Sequence, residues 1–147
     1  MTDSKKTVEV SQRTEFSCSY LVPQRGFYDL NSINYKFEAT VCSAAAYEST
    51  GRVISFEDLL TVIKNIIPDK AFIYDKTDSK QQAVRDAFVL CGVFSYAFEG
   101  EISTERLLEE ISLMLVGALK AYPGVYLKET KLRENSNSYV TWKQVDA

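Results

Sequence analysis

Residues 7–20 read TVEVSQRTEFSCSY, and the apolar side chains Val8, Val10, Phe16, Cys18 and Tyr20 fall on even positions. Thr7, Glu9, Ser11, Arg13, Glu15, Ser17 and Ser19 fill the odd ones. A period of two sustained over such a length spreads around a helix but lines up on one face of a strand. The chain must therefore cover one face of a long strand and leave the other polar. Pro23 and Gly26 break the pattern within the loop PQRGFYD. It resumes over 33–42, where Ile33, Tyr35, Phe37, Ala39 and Val41 oppose Asn34, Lys36, Glu38, Thr40 and Cys42. This is a second strand, antiparallel to the first, whose end near Tyr47 leads into a turn at Glu48-Ser49-Thr50-Gly51.

The period then changes. Ser55 is placed to cap a helix with Glu57 and Asp58 in its first turn. Phe56, Leu59, Leu60, Ile63 and Ile67 form its apolar stripe, and Pro68 stops it. A second helix starts at Ser103, with Ile102 and Leu107 as a hydrophobic staple. Leu107, Leu108, Ile111, Leu115, Ala118 and Leu119 are its buried stripe, and Pro123-Gly124 follows its end. Residues 125–130 and 138–143 read as a hairpin across the polar loop RENSN. Between the helices, about residues 76–100, Ala83, Val84, Ala87, Phe88 and Cys91 fit a short helix. Val93, Phe94, Tyr96 and Phe98 follow without clear period. This insert is too apolar for a free linker and is expected to pack on the body or on a neighbouring subunit. The order β-β-α-(insert)-α-β-β predicts an α+β fold with helices on one face of an antiparallel sheet. One domain over residues 1–147, with a polar tail at 1–6, is expected from the length.

Composition excludes several function classes. The chain has no histidine, which removes Ser-His-Asp triads, Cys-His dyads and His-ligated metal sites. Its three cysteines, Cys18, Cys42 and Cys91, are too far apart for a metal knuckle and too few for a disulfide framework. Reduced thiols in a cytoplasmic protein are expected. The net charge of −3 gives no electrostatic case for nucleic acid. No apolar run reaches the roughly 18 residues that span a bilayer. The polar opening MTDSKK is the start expected without a signal peptide.

Few residues suggest chemistry. Glu129 has the parity of Val125 and Leu127, so it is expected on the core face, where a buried carboxylate needs donors. A ligand edge with two adjacent N–H groups would pair with it bidentately. A neighbouring Arg or Lys, or a twist of the strand toward water, would satisfy it equally. Asp69-Lys70 follows the first helix, and a buried lysine there would act as base or charge stabiliser. A solvated loop pair is the simpler reading. Cys18 and Tyr20 share the covered face of the first strand and read as core, with no histidine to activate the thiol.

LNSINYK at 30–36 resembles the L-H-G-H-N-Y-K stretch of the 6-pyruvoyl tetrahydropterin synthase and 6-carboxytetrahydropterin synthase family. Other pieces follow in order. FSCSYLVP at 16–23 is similar to F-x-A-A-H-x-L-P, and TGRVISFEDLLTVIK at 50–64 to T-G-M-V-M-D-F-x-D-L-K. DKAFIY at 69–74 stands where L-D-H-x-x-L-N belongs, ISTERLLEEI at 102–111 resembles P-T-x-E-N-L, and LKET at 127–130 resembles the ligand-anchoring strand. The resemblance implies the tunnelling fold: a four-stranded antiparallel sheet whose copies join edge to edge, as a trimer or a dimer of trimers. That arrangement would close the open sheet edges.

The resemblance also implies what is lost. The family's three zinc histidines correspond to Tyr20, Asn31 and Ile33, which cannot form a zinc site. Its cysteine corresponds to a position near Phe27, and its Asp-His pair to Asp69-Lys70. Glu129 corresponds to the carboxylate that grips the pterin, and Ser103, Thr104 and Glu105 to the helix-start residues of the same pocket. The implied protein is a metal-free homo-oligomer, without cofactor, that binds a pterin or purine-like ring without running the parent reaction. Three other readings stay open. One is a metal-free, aldolase-like enzyme using Lys70, Tyr20 and Tyr74. Another is a scaffold whose cavity is filled by Tyr20, Phe27 and Ile33, with the apolar insert as its partner surface. The last is residual tetrahydropterin synthase activity. No membrane or nucleic-acid partner is expected.

Overall fold

The computed structural model describes residues 8–43 and 50–144. The polar tail at 1–6, the end of the second strand near Tyr47, and Glu48 and Ser49 of the expected turn lie outside the described residues. Strands β1 (Glu9–Pro23) and β2 (Tyr28–Cys42) form the central antiparallel pair, in continuous register from Glu9↔Cys42 to Pro23↔Tyr28. Helix α1 (Phe56–Ile66) leads to β3 (Ala71–Asp75), α2 (Ser79–Leu90) and β4 (Ser95–Phe98). Helix α3 (Thr104–Ala118), closed by a short 3₁₀ turn, leads to β5 (Tyr126–Arg133) and β6 (Tyr139–Lys143).

The sheet has six strands in the order β4-β3-β1-β2-β5-β6, and it is mixed. β3 runs parallel to β1, and β4 parallel to β3. The expected four-stranded antiparallel sheet is therefore corrected by two strands. DKAFIY and the supposed insert together make a β-α-β unit, whose crossover helix is what a parallel pair requires. Ala71, Phe72, Ile73 and Tyr74 are all buried, a continuous apolar run suited to a strand covered on both faces.

That double covering also corrects the expectation of helices on one face. α1 and α3 pack over the side carrying Phe16, Tyr35, Phe37, Leu127 and Leu132, where Leu59, Ile63, Leu107, Ile111 and Leu115 complete the core. Burying each of these side chains contributes roughly 1.5–3 kcal/mol. α2 lies on the other side. Phe88 meets Phe72 edge-on at 4.8 Å, and Arg85 sits 5.2 Å above the Tyr74 ring. Asp78 caps α2 by accepting from the Lys80 amide at 2.9 Å. It also accepts from the Tyr28 hydroxyl at 2.7 Å, which ties the helix to β2. The Ser55 and Ser103 caps stand as expected, accepting from the amides of Asp58 and Arg106. Phe56, assigned to the buried stripe of α1, is instead 65% exposed at the helix's first position.

A β-bulge in β5 matters most for the site. Thr40 pairs with Glu129 but Val41 pairs with Leu127, so Lys128 is an extra residue without a partner on β2. Its ammonium pairs with Glu9. The extra residue reverses the alternation, and the buried side chains of β5 become Leu127, Thr130 and Leu132. Thr130 faces α3 through a 2.6 Å hydrogen bond with Ser112, and neither residue is exposed.

Candidate functional site

Tyr20, Asn31 and Ile33 lie where β1 and β2 approach their loop, and Tyr20 pairs directly with Asn31. Tyr20 and Ile33 pack against the main core, so these positions do project to the helix-covered face. Burial raises the pKa of the Tyr20 phenol, the neighbouring polar side chains of Asn31 and Tyr35 oppose that rise, and the charge of Glu134 adds to it. Tyr35 is the fully buried centre of the group. Its hydroxyl meets the Thr104 hydroxyl at 3.0 Å, at the start of α3. Burial pushes Tyr35 up more strongly, and Glu134 again contributes. Both phenols are held neutral, as hydrogen-bonding groups rather than phenolates.

Glu134 is the carboxylate whose charge acts on both phenols. It begins the β5–β6 turn, where its amide donates to the Ser138 carbonyl at 3.1 Å. It lines two adjoining clefts. One, of about 280 Å³, includes Glu15, Tyr35 and Lys36. The other, of about 330 Å³, includes Thr104, Glu105 and Tyr139. RENSN reads in the sequence as a bare polar loop, so Glu134 goes unnoticed there. The one available signal is its parity with Leu132, two residues earlier.

Glu129 lies on the opposite side of the sheet. The bulge sets it beside Thr40, whose hydroxyl bonds to Ser11 on the face without α1 and α3. Lys131 is 4.0 Å away. The expectation that Glu129 shares the core face of Leu127 is therefore corrected, because the count by twos is broken at Lys128. Of the helix-start residues, Ser103 is occupied as the cap, Thr104 bonds to Tyr35, and Glu105 joins Glu134 at the cleft.

Asp69 and Lys70 are both exposed and lie lower along β1. The Asp69 carboxylate accepts from the Ser17 amide at 3.1 Å, and the Lys70 amide donates to the Ser17 carbonyl. Lys70 takes a left-handed backbone, φ 57°. Ser17 is three residues from Tyr20, on the order of 10 Å along a strand. The structure thus does not bring Lys70 to Tyr20 within one chain. Tyr74 faces α2, on the far side of the sheet from Tyr20. Phe27 is 58% exposed in the loop and fills no cavity.

As a metal site the Tyr20 cluster has poor donors: a neutral phenol, a carboxamide and a hydrocarbon. Among the described residues no group of three or more Cys, Asp or Glu side chains is placed to hold a metal ion. Burial lifts the Cys18 thiol to about 12, with Asp69 adding to the effect, which leaves it a poor nucleophile. What the site offers is hydroxyls and a carboxylate at a cleft mouth, a set that orients a polar heterocycle.

No family model matches the sequence, and no curated protein matches it. Solved structures do. The 6-pyruvoyl tetrahydropterin synthase of Plasmodium vivax superposes with a TM-score of 0.66 at 15% identity, over 95% of this chain and 98% of that one. The chain has the fold of the 6-pyruvoyl tetrahydropterin synthases. The Caenorhabditis elegans enzyme matches with a TM-score of 0.59 at 12% identity, over 98% of this chain and 100% of that one. An uncharacterized protein of Wolinella succinogenes gives 0.72 at 12% identity, over 95% and 99%. The likeness read from LNSINYK and its companion motifs is thus a likeness of structure along nearly the whole chain. Among the described residues, no helix is long and apolar enough to cross a membrane.

Proposed function

We propose that this chain is a 6-pyruvoyl tetrahydropterin synthase-like protein that binds a pterin or purine-like ring without zinc and without the parent reaction. The observation that carries the reading is that Glu134 lines two adjoining clefts, one shared with Tyr35 and the other with Thr104, whose hydroxyls meet at 3.0 Å. Glu134, not Glu129, is the anchoring carboxylate in this reading. It accepts from the two adjacent N–H groups of the ring edge, while the hydroxyls of Tyr35 and Thr104 fix the ring's orientation. Zinc is left out because Ile33 has no donor atom and the Tyr20 phenol keeps its proton. The exposed loop setting of Lys70 argues against the aldolase-like alternative.

A thermal-shift titration with neopterin tests this. Wild type is expected to show a saturable rise in Tm, and Glu134→Gln to lose it. Absence of a shift in wild type, or stoichiometric zinc in the purified protein, contradicts the reading.

A further inference from the structure

β4 ends the sheet on the β3 side, and among the described residues no strand lies beyond it. The Phe94 and Phe98 carbonyls accept from the amides of Phe72 and Lys76, on the inner side. Backbone groups of successive residues in a strand point to opposite sides, so Ser95 and Ala97 turn their N–H and C=O groups to the open edge. Natural proteins guard such an edge with charged side chains, proline or a bulge. The stretch Ala87–Phe98 holds no charged residue and no proline. It instead exposes apolar side chains beside the edge: Leu90 is 88% exposed and Phe94 59%, with Val89 and Val93 exposed next to them.

This edge is separate from the two that a head-to-tail ring of copies would join. β3 pairs with β1 only over Cys18–Tyr20, so Glu9–Phe16 of β1 has no strand on that side among the described residues. β6, at the far end of the sheet, is the other edge of that kind. β4 is a third edge, and its sequence fits a copy of itself. A two-fold axis at Tyr96 sets Ser95 opposite the partner's Ala97 and Ala97 opposite the partner's Ser95. Both are hydrogen-bonded pairs, so every outward backbone group of the two residues is used. Tyr96 then stands opposite the partner's Tyr96, and Phe94 opposite the partner's Phe98, which are favourable aromatic cross-strand pairs. Glu99 comes opposite the partner's Val93 and not another Glu99, so no like charges meet. Pairing with β6 would instead bring Lys143 against an uncharged segment.

We infer that β4 is a self-association edge, which pairs antiparallel with β4 of a second copy and continues the sheet across a two-fold axis. The test is sedimentation velocity of the full chain over a concentration series. Wild type is expected at twice the mass of Ala97→Pro, whether the smaller unit is a single chain or a ring. Proline at 97 removes only an N–H that points outward, a change an edge strand accepts. Leu90→Lys/Phe94→Lys, at two exposed side chains, should halve the mass in the same way and keeps the test decisive if the proline variant does not fold. The register is read by cross-linking in a Cys91→Ser background. Ser95→Cys and Ala97→Cys chains, co-expressed, are expected to form a disulfide-linked dimer, because opposed hydrogen-bonded residues lie about 5.5 Å apart. Either chain expressed alone sets its thiols on residues about 7–8 Å apart and should link far less. The Ser95 hydroxyl has no hydrogen-bond partner to lose in this substitution. Equal masses for wild type and both variants would leave β4 to a strand of some other partner and overturn the assignment. Linkage in the co-expressed pair no greater than in the single chains also overturns it.

Discussion

Replacing Thr130 with Val keeps the shape of the side chain and removes only its hydroxyl. In the folded protein that hydroxyl lies 2.6 Å from Ser112 Oγ, and both residues are fully buried between β5 and α3. The variant leaves the Ser112 hydroxyl in an apolar layer without its partner, a penalty of about 1–3 kcal/mol. The lower half of that range is expected, because a helical serine can turn its hydroxyl to the carbonyl one turn back. Ser112→Ala should fall in the upper half of that range, since Thr130 on a strand has no such recourse. The double variant Ser112→Ala/Thr130→Val removes both polar groups together and should lose clearly less than the two single losses combined. Urea unfolding followed by circular dichroism reads this directly as a shift in midpoint at constant slope. In a chain of this size each kcal/mol also moves Tm by about 2–4 °C. Glu129→Gln, one residue away on the other face, should change stability by no more than about 0.5 kcal/mol. Strictly additive losses in the double variant, or a larger loss in Glu129→Gln than in Thr130→Val, would refute the reversal of β5 at Lys128.

Other expectations follow from the same packing. Leu115→Ala, at the centre of the contact between α3 and the sheet, should lose about 2–5 kcal/mol in chemical denaturation. Ser55→Ala should lose about 1 kcal/mol by orphaning the Asp58 amide at the start of α1. A thiol reagent at neutral pH should label the exposed Cys91 of the native protein and spare the buried Cys18 and Cys42, as mass spectrometry of the intact protein would report. Cys18 also sets a direction for alkaline stability. Its folded pKa of about 12 exceeds the ordinary value of 9.0, so the folded state keeps a proton that the unfolded chain gives up. Its contribution is complete below about pH 9 and is lost as pH rises toward 12, so Cys18→Ala should flatten the fall in stability over that window.

The long strands and the helix starts were legible because their signals are local. The alternation over Val8–Tyr20 and Ile33–Val41 states which side is covered, and Ser55 and Ser103 mark caps that a short range of sequence defines. β3 and β4 were not legible in that way. AFIY is buried on both faces and so shows no alternation, and SYAF is too short to show any. Ser79–Leu90 presents Phe88 to Phe72 but leaves Val89 and Leu90 exposed, so its apolar residues form no clean stripe. At the site, counting along regular elements puts Tyr20, Asn31 and Ile33 on the covered face, whereas Thr104 enters only through the resemblance. Glu129 was misplaced because counting by twos assumes an unbroken ladder, and nothing in LKET announces that Lys128 stands outside it. Glu134 is hard to find for a related reason: it lies just past the end of β5, where its parity with Leu132 is no longer fixed by a ladder.

The account rests on which carboxylate meets the ligand, and side-by-side fluorescence titration of neopterin against Glu134→Gln and Glu129→Gln measures that most directly. Glu134→Gln is expected to weaken binding by a factor of about 10–100, the value of a charge-assisted bidentate pair, while Glu129→Gln binds like wild type. Loss of binding in Glu129→Gln with affinity retained in Glu134→Gln would contradict the account.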